Sequence, residues 1–168
     1  MQVQNQNASQ VDLRKFAGQF AAGVAVISTS DSNGKGTGVT MTAVLSLSLN
    51  PPLFLVSLAN NSNTLDAINE SGHFCINFLS DQQAEISNVF ATKGEDKLKN
   101  VDFTHGLTGS PCIIGAVAHG ECEVQQRYVA GDHTILIGRV VRTAIHGGNP
   151  LVYHSGKYVS LNQLEKAA

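Results

Sequence analysis

Charge is the scarcest ingredient of this sequence: 14% of its 168 residues are Asp, Glu, Lys or Arg, while 42% are hydrophobic. So few charges do not cover the surface of so short a chain. A partner that hides apolar area is predicted, most simply a second copy in a homodimer. Nor is there a basic excess. The 11 Lys and Arg are scattered among 13 Asp and Glu for a net charge of -2, which argues against the cationic footprint of a nucleic-acid binder. Cysteine is sparse: Cys75, Cys112 and Cys122 are odd in number and lack CxxC spacing, as suits buried, reduced thiols of a cytoplasmic protein. His119 with Cys122, and His73 with Cys75, have no second half at metal-site spacing, so no metal is expected. Long apolar runs are missing too. Pro51-Pro52 and hydroxyls interrupt the longest, which speaks against a membrane span. The opening "MQVQNQNASQ" has no basic segment followed by an apolar one; residues 1–10 read as a flexible tail and not as a signal peptide.

What is present is strand-forming sequence punctuated by turns, consistent with one domain over residues 1–168. "SQVDLRKFAGQFAAG" predicts a helix with Leu13, Phe16, Ala17 and Phe20 on its apolar stripe and Gly23 at its end. "VAVISTS", the turn "DSNGKG" and "GVTMTAVLSLSL" then form a hairpin, with the last stretch read as a single strand. "LFLVSLA" and "HFCINFL" are further strands. Between and after them lie helices at "NTLDAINESG", capped by Ser62 or Asn63, and "SDQQAEISNVFA", with Ile86, Val89 and Phe90 inward. Residues 92–110 read as a long polar loop. Two long strand segments joined by "AGD" and a short final pair around Gly156 complete the chain. Strands outnumber helices and most links are hairpin-like, so the fold class is mainly β with peripheral helices, an antiparallel sheet closed into a barrel.

The glycines Gly34, Gly36 and Gly38 sit between two strands, not before a helix, and so form a turn and not a dinucleotide loop. More telling is the stretch from Gly36 to Leu65, which holds no Asp, Glu, Lys, Arg or His. Within it Thr40, Thr42, Ser46 and Ser48 recur at every second position, broken only by Val44. Two readings stand side by side. The row is either a strand buried on both faces or the wall of a groove for a flat, uncharged, polar-edged ligand. "NNSNT" follows at a helix start, where free N–H groups, Ser62, Thr64 and the helix dipole suit a phosphate, although a plain cap looks the same. Wall and seat together point to a phosphorylated planar ligand such as flavin mononucleotide. "GDH" (Gly131, Asp132, His133) and "YHSGKY" with Tyr153 and His154 are turn chemistry on spacing alone.

The assembled order, "FAAGVAVIST", "GVTMTAVLSLSLNPPLFLVSL", "NTLDAINESGHFCINFLS", "GDHTILIGRV" and "PLVYHSGKY", resembles the short-chain flavin reductases, the FMN-binding split-barrel partners of two-component flavin monooxygenases. That resemblance implies a six-stranded antiparallel Greek-key split β-barrel working as a homodimer. It implies FMN or FAD held along Val39, Thr40, Met41 and Thr42, with Ser46 beneath and Ser57, Leu58 and Ala59 on the next strand. Ser62, Asn63 and Thr64 would take the phosphate and Phe90 would close one side. His133 would serve catalysis by positioning the nicotinamide, with Tyr153, His154 and Gly156 beside it. NADH, or NADPH, would deliver a hydride to the flavin, and the reduced flavin would pass to a monooxygenase. The alternatives are a flavin carrier or electron-transfer protein of the same fold, or a reductase or oxidase acting directly on an organic substrate. Asn61 stands where the family often has a basic residue, which leaves the phosphate seat to helix amides.

Overall fold

A computed structural model describes residues 13–94, 96–159 and 161; the predicted tail over residues 1–10 lies outside them. The chain is mainly β, with three helices among the described residues. A short helix α1 (Leu13–Ala17) leads to β1 (Ala22–Gly23), β2 (Ala25–Ser30), β3 (Gly36–Met41), β4 (Val44–Leu49) and β5 (Pro52–Ala59). Helix α2 (Asn63–Ser71), β6 (His73–Phe78) and α3 (Ala84–Ala91) follow. Then come β7 (Phe103–His105), β8 (Pro111–Ile113), β9 (Ala118–Ala130), β10 (His133–Ile145), β11 (Val152–His154) and β12 (Lys157–Val159).

The main sheet has seven strands in the order β3-β2-β6-β9-β10-β5-β4, with every ladder antiparallel. Its two edges are β3 and β4, consecutive in the chain and separated only by Thr42 and Ala43. A flat sheet of this size would hold its edges roughly 29 Å apart, whereas three peptide units reach about 11 Å. The sheet therefore curls until its edges meet at one corner, and no ladder joins β3 to β4 among the described residues. This corrects two expectations. The stretch read as a single strand bends at Thr42 and divides in two, and the principal sheet has seven strands instead of six.

Inside the curl lies one core. Ala25, Ile27, Val56, Leu58, Phe74, Ile76, Cys122 and Leu136 are buried there, joined by Val39, Met41 and Val44 from the edge strands and by Leu65 and Ile68 of α2. A second core sits outside, where Val24 and Val26 of the β2 segment meet Phe90 of α3, Leu98, Val101, Ile113 and Leu151. Strand β2 is buried on both faces, its alternate residues serving the two cores. Gly38 makes the outer packing possible: a Cβ there would lie 3.0 Å from Phe90 Cε1 and 3.0 Å from Ile27 O. On α3 Ser87 and Phe90 are buried and Ile86 packs against the second core, whereas Val89, expected inward, is exposed. The expected loop at 92–110 contains β7, which pairs with β8 as a flap over the outer face. The stripe of Leu13, Phe16 and Phe20 points away from both cores.

Candidate functional site

Ser62 is the N-cap of α2, in extended conformation, and its side chain makes no cap hydrogen bond. The first-turn amides are thus left with no side-chain partner among the described residues, at the positive end of the helix dipole. Asn63 is exposed beside Ser62, while Thr64 is buried and presents only backbone. Cross-strand pairing brings the "GDH" turn to this point. His133 is opposite Ala59, Asn60 N–H donates to Asp132 O at 2.9 Å, and Thr134 Oγ1 donates to Asn60 Oδ1 at 2.8 Å. Gly131 sits at φ 65, the left-handed conformation that lets β9 turn directly into β10. His133 Nδ1 lies 2.7 Å from Asp132 Oδ1. A carboxylate only accepts, so Nδ1 donates this bond and Nε2 is the ring nitrogen it leaves over. The same hydrogen bond holds the exposed Asp132 carboxyl below its ordinary range.

The other predicted residues fall into two groups. Thr42 is exposed at the bend and shares a cavity of about 420 Å³ with Phe20, Tyr153, Gly156 and Arg14. Tyr153 is paired with Ala22 and stacks edge-on to Tyr158, whose hydroxyl is bonded to Ser87 and Asn88 of α3. This pins the β11–β12 hairpin beside Thr42; His154 is in it, next to Ser155. Thr40, by contrast, points outward under α3: its hydroxyl donates to Ser87 O at 2.7 Å. Val39 and Met41 pack against the inner core but stay partly exposed, whereas Leu58 is buried and offers a ligand only backbone. Ser57 and Ala59 are partly exposed on β5, and Ser46 is exposed on β4. Phe90, expected to close one side, is wholly buried and anchors α3 behind Gly38. No hydrogen bond among the described residues links the His133 cluster to the Tyr153 cluster.

Sequence reasoning missed cations on both sides. A cavity of about 200 Å³ at the start of α2 is lined by Asn63, Thr37, Lys35 and Lys97 together with Asp31 and Asp96, and Lys35 Nζ pairs with Asp96 Oδ1 at 3.2 Å. Lys97 Nζ donates to Gly38 O and Phe90 O, and burial lowers its pKa. Asn61 leaves no cation at the helix start itself; the β2–β3 turn brings Lys35 and the segment after α3 brings Lys97. Arg14 lies at the junction of the Thr42 cavity and a second one of about 370 Å³ with Lys15, Gln19 and Ser155. Neither cation stands near its site in sequence, so no spacing signal marks it.

Known proteins match this architecture throughout. The chain is 41% identical over 155 residues to the "Probable flavin reductase" of Rhizobium meliloti (strain 1021); the match covers 92% of this chain and 50% of that protein, so this chain spans half that relative's length. It is 34% identical over 158 residues to the reductase subunit of a flavin-dependent monooxygenase of Rhodococcus jostii (strain RHA1), covering 92% and 80%. The NADH:FAD oxidoreductase of Streptomyces globisporus C-1027, solved in complex with NAD and FAD fragments, superposes with a TM-score of 0.88 at 28% identity, covering 95% of this chain and 97% of that one. Residues 17–162 match the flavin reductase like domain. With nearly the whole chain matched, it belongs to the flavin reductase family.

Proposed function

We propose that this protein is an NAD(P)H:flavin oxidoreductase, the reductase component that supplies reduced FMN or FAD to a partner monooxygenase. The observation that carries the reading is the start of α2. Ser62, with a hydroxyl unused in capping, and the first-turn amides adjoin a charge-free wall from Gly36 to Leu65. These residues fit a phosphorylated flavin, which when bound supplies the acceptor for a nicotinamide hydride.

The chain's own tasks are to bind, orient and exclude water. Ser62, Asn63 and the Thr64 amide hold the phosphate, with Lys97 and Lys35 as nearby countercharge. Backbone groups of Val39, Thr40, Met41, Leu58 and Ala59, with the hydroxyls of Thr42, Ser46 and Ser57, line the flavin, and Phe90 stiffens β3 from behind. His133 positions the nicotinamide through Nε2, its Nδ1 fixed by Asp132; Tyr153, His154 and Gly156 border the same space. Such placement of donors at developing charge is enough for a reaction that needs no protein nucleophile.

A homodimer belongs to this reading. It is supported by Leu45, Leu47 and Leu49 exposed along β4, with Leu13, Phe16 and Phe20 exposed near the Thr42 cavity. The two residue clusters of one chain then complete a site across the pair. The Greek-key split-barrel form is supported by the curl that brings β3 and β4 to one corner, and a single domain by the match over residues 17–162. No described helix is long and apolar enough to cross a membrane, and three free cysteines suit a cytoplasmic setting.

The test is anaerobic stopped-flow mixing of protein, FMN or FAD, and NADH or NADPH, following bleaching of the oxidised flavin. Saturable bleaching far above the protein-free rate is expected, with flavin lost on gel filtration. Absence of bleaching with both nicotinamides sinks the proposal. Rapid reduction of flavin that stays bound favours a retained-cofactor enzyme or carrier.

A further inference from the structure

A cavity of about 580 Å³ lies away from the proposed flavin wall, under the β7–β8 flap. Glu121 and Arg142 line it, and they end a row of cross-strand partners on the sheet's outer face: Ser28 beside Cys75, Cys75 beside Glu121, and Glu121 beside Arg142. Phe74 and Ile76 point into the inner core, so Cys75 between them points the other way, toward the flap. There it meets Cys112 of β8. The two sulfurs are 3.7 Å apart, although 37 positions separate the residues in sequence.

The two thiols differ in access. Cys75 is fully buried, while Cys112 lines the cavity and retains slight exposure. They also differ in acidity. A hydrogen bond from Cys75 favours the Cys112 thiolate, with Arg142 helping and burial and Glu121 opposing, so the Cys112 pKa falls and that of Cys75 rises. The flap is firmly seated: buried Asn77 accepts from Ile113 N–H at 2.7 Å, and Ser28 Oγ donates to Pro111 O at 2.5 Å. This fixes β8, and Cys112 with it, against β6. The third thiol, Cys122, belongs to the inner core, and burial pushes its pKa up to about 12.

We propose that Cys112 and Cys75 form a hydroperoxide-reactive dithiol, with Cys112 as the attacking thiol reached through the cavity and Cys75 as the resolving one. Cys112 thiolate attacks the distal oxygen of hydrogen peroxide; the O–O bond breaks, hydroxide leaves and takes up a proton, and Cys112 becomes a sulfenic acid. Cys75 sulfur then attacks Cys112 sulfur, the S–O bond breaks, and the thiol proton and hydroxyl leave as water. In sum two thiols and one peroxide give one disulfide and two waters; the sulfurs are oxidised and the peroxide oxygens reduced. The proposed activity provides a source, because reduced flavin that escapes its acceptor passes two electrons to dioxygen and yields peroxide. Only that link rests on the flavin-reductase reading.

The experiment treats the reduced, full-length protein with hydrogen peroxide and measures intact mass and non-reducing peptide maps. Wild type should lose two hydrogen atoms in mass, reversibly with dithiothreitol, and yield a linked Cys75–Cys112 peptide pair while Cys122 stays free. Cys75→Ser should stall at the sulfenic acid and give a stoichiometric dimedone adduct at Cys112. Cys112→Ser should lose free thiols at least about tenfold more slowly, as expected when the accessible thiolate is removed. Cys112→Ala serves if the serine variant does not fold. Direct passage of Cys112 to sulfinic acid in wild type, preferential loss of Cys122, or no dimedone adduct in Cys75→Ser overturns the proposal. A second arm replaces added peroxide with NADH, FMN and air, with and without catalase. A disulfide with added peroxide but none in this arm refutes the flavin-derived source and leaves the dithiol standing.

Discussion

Strands β3 and β4 come from one uninterrupted, charge-free stretch with the same alternation of hydroxyl and apolar residues, yet they live in different surroundings. Strand β3 makes packing contacts on both sides, with Val39 and Met41 against the inner core and Gly38 and Thr40 under α3, although only Gly38 is fully buried. Strand β4 gives the core only Val44 and turns Leu45, Leu47 and Leu49 outward, Leu49 being 90% exposed. A register shift between Ser46 and Ser48 breaks its alternation. The difference shows that a two-residue period defines two faces without saying what covers either. On β3 the Thr40 hydroxyl is a structural donor; on β4 the leucines are exposed, and the proposed homodimer is argued from them.

The comparison breaks most severely if α3 is detached. Phe90→Ala should cost about 3–5 kcal/mol and loosen β3 while leaving β4 pairing intact, read by thermal unfolding and amide exchange strand by strand. Equal loss of protection on both strands would show that α3 supports the whole sheet. Gly38→Val addresses the same contact from the other side and should cost roughly 1–3 kcal/mol in denaturant unfolding, since the new side chain meets backbone and ring. Thr40→Val removes only the bond to Ser87 O and should cost about 1 kcal/mol, with little change in flavin affinity. Thr42→Val, at the exposed bend, should do the reverse and weaken flavin binding with unfolding unchanged; if both properties are untouched, the bend is structural. On β4, Leu47→Asn with Leu49→Asn should leave strand content unaltered by circular dichroism while the solution mass drops from two chains to one. A retained dimer would move the interface elsewhere.

Much of the site was legible because it is local. The N-cap position of Ser62, the start of α2 at Asn63 and the Gly131 turn follow from residues within a few positions of each other, although the Ser62 side chain makes no cap bond. The pairing of His133 with Ala59 needed the β10–β5 register, and the burial of Phe90 needed the position of α3. Lys97 and Arg14 were missed because each reaches its cavity through a segment that composition marks only as polar loop or amphipathic helix. The thiol pair was missed for the same reason: Cys75 and Cys112 look unrelated until the flap closes on β6.

By itself the sequence determined the strand-rich class, the turns, the Ser62 cap position and the uncharged stretch. Each of these follows from backbone preference or from the cost of leaving apolar surface in water. Only the tertiary structure decided that this stretch bends at Thr42, that its hydroxyls diverge between packing and solvent, and which distant side chains meet. Those outcomes depend on a seven-stranded sheet bringing its two edges to one corner, a long-range condition that no local pattern encodes.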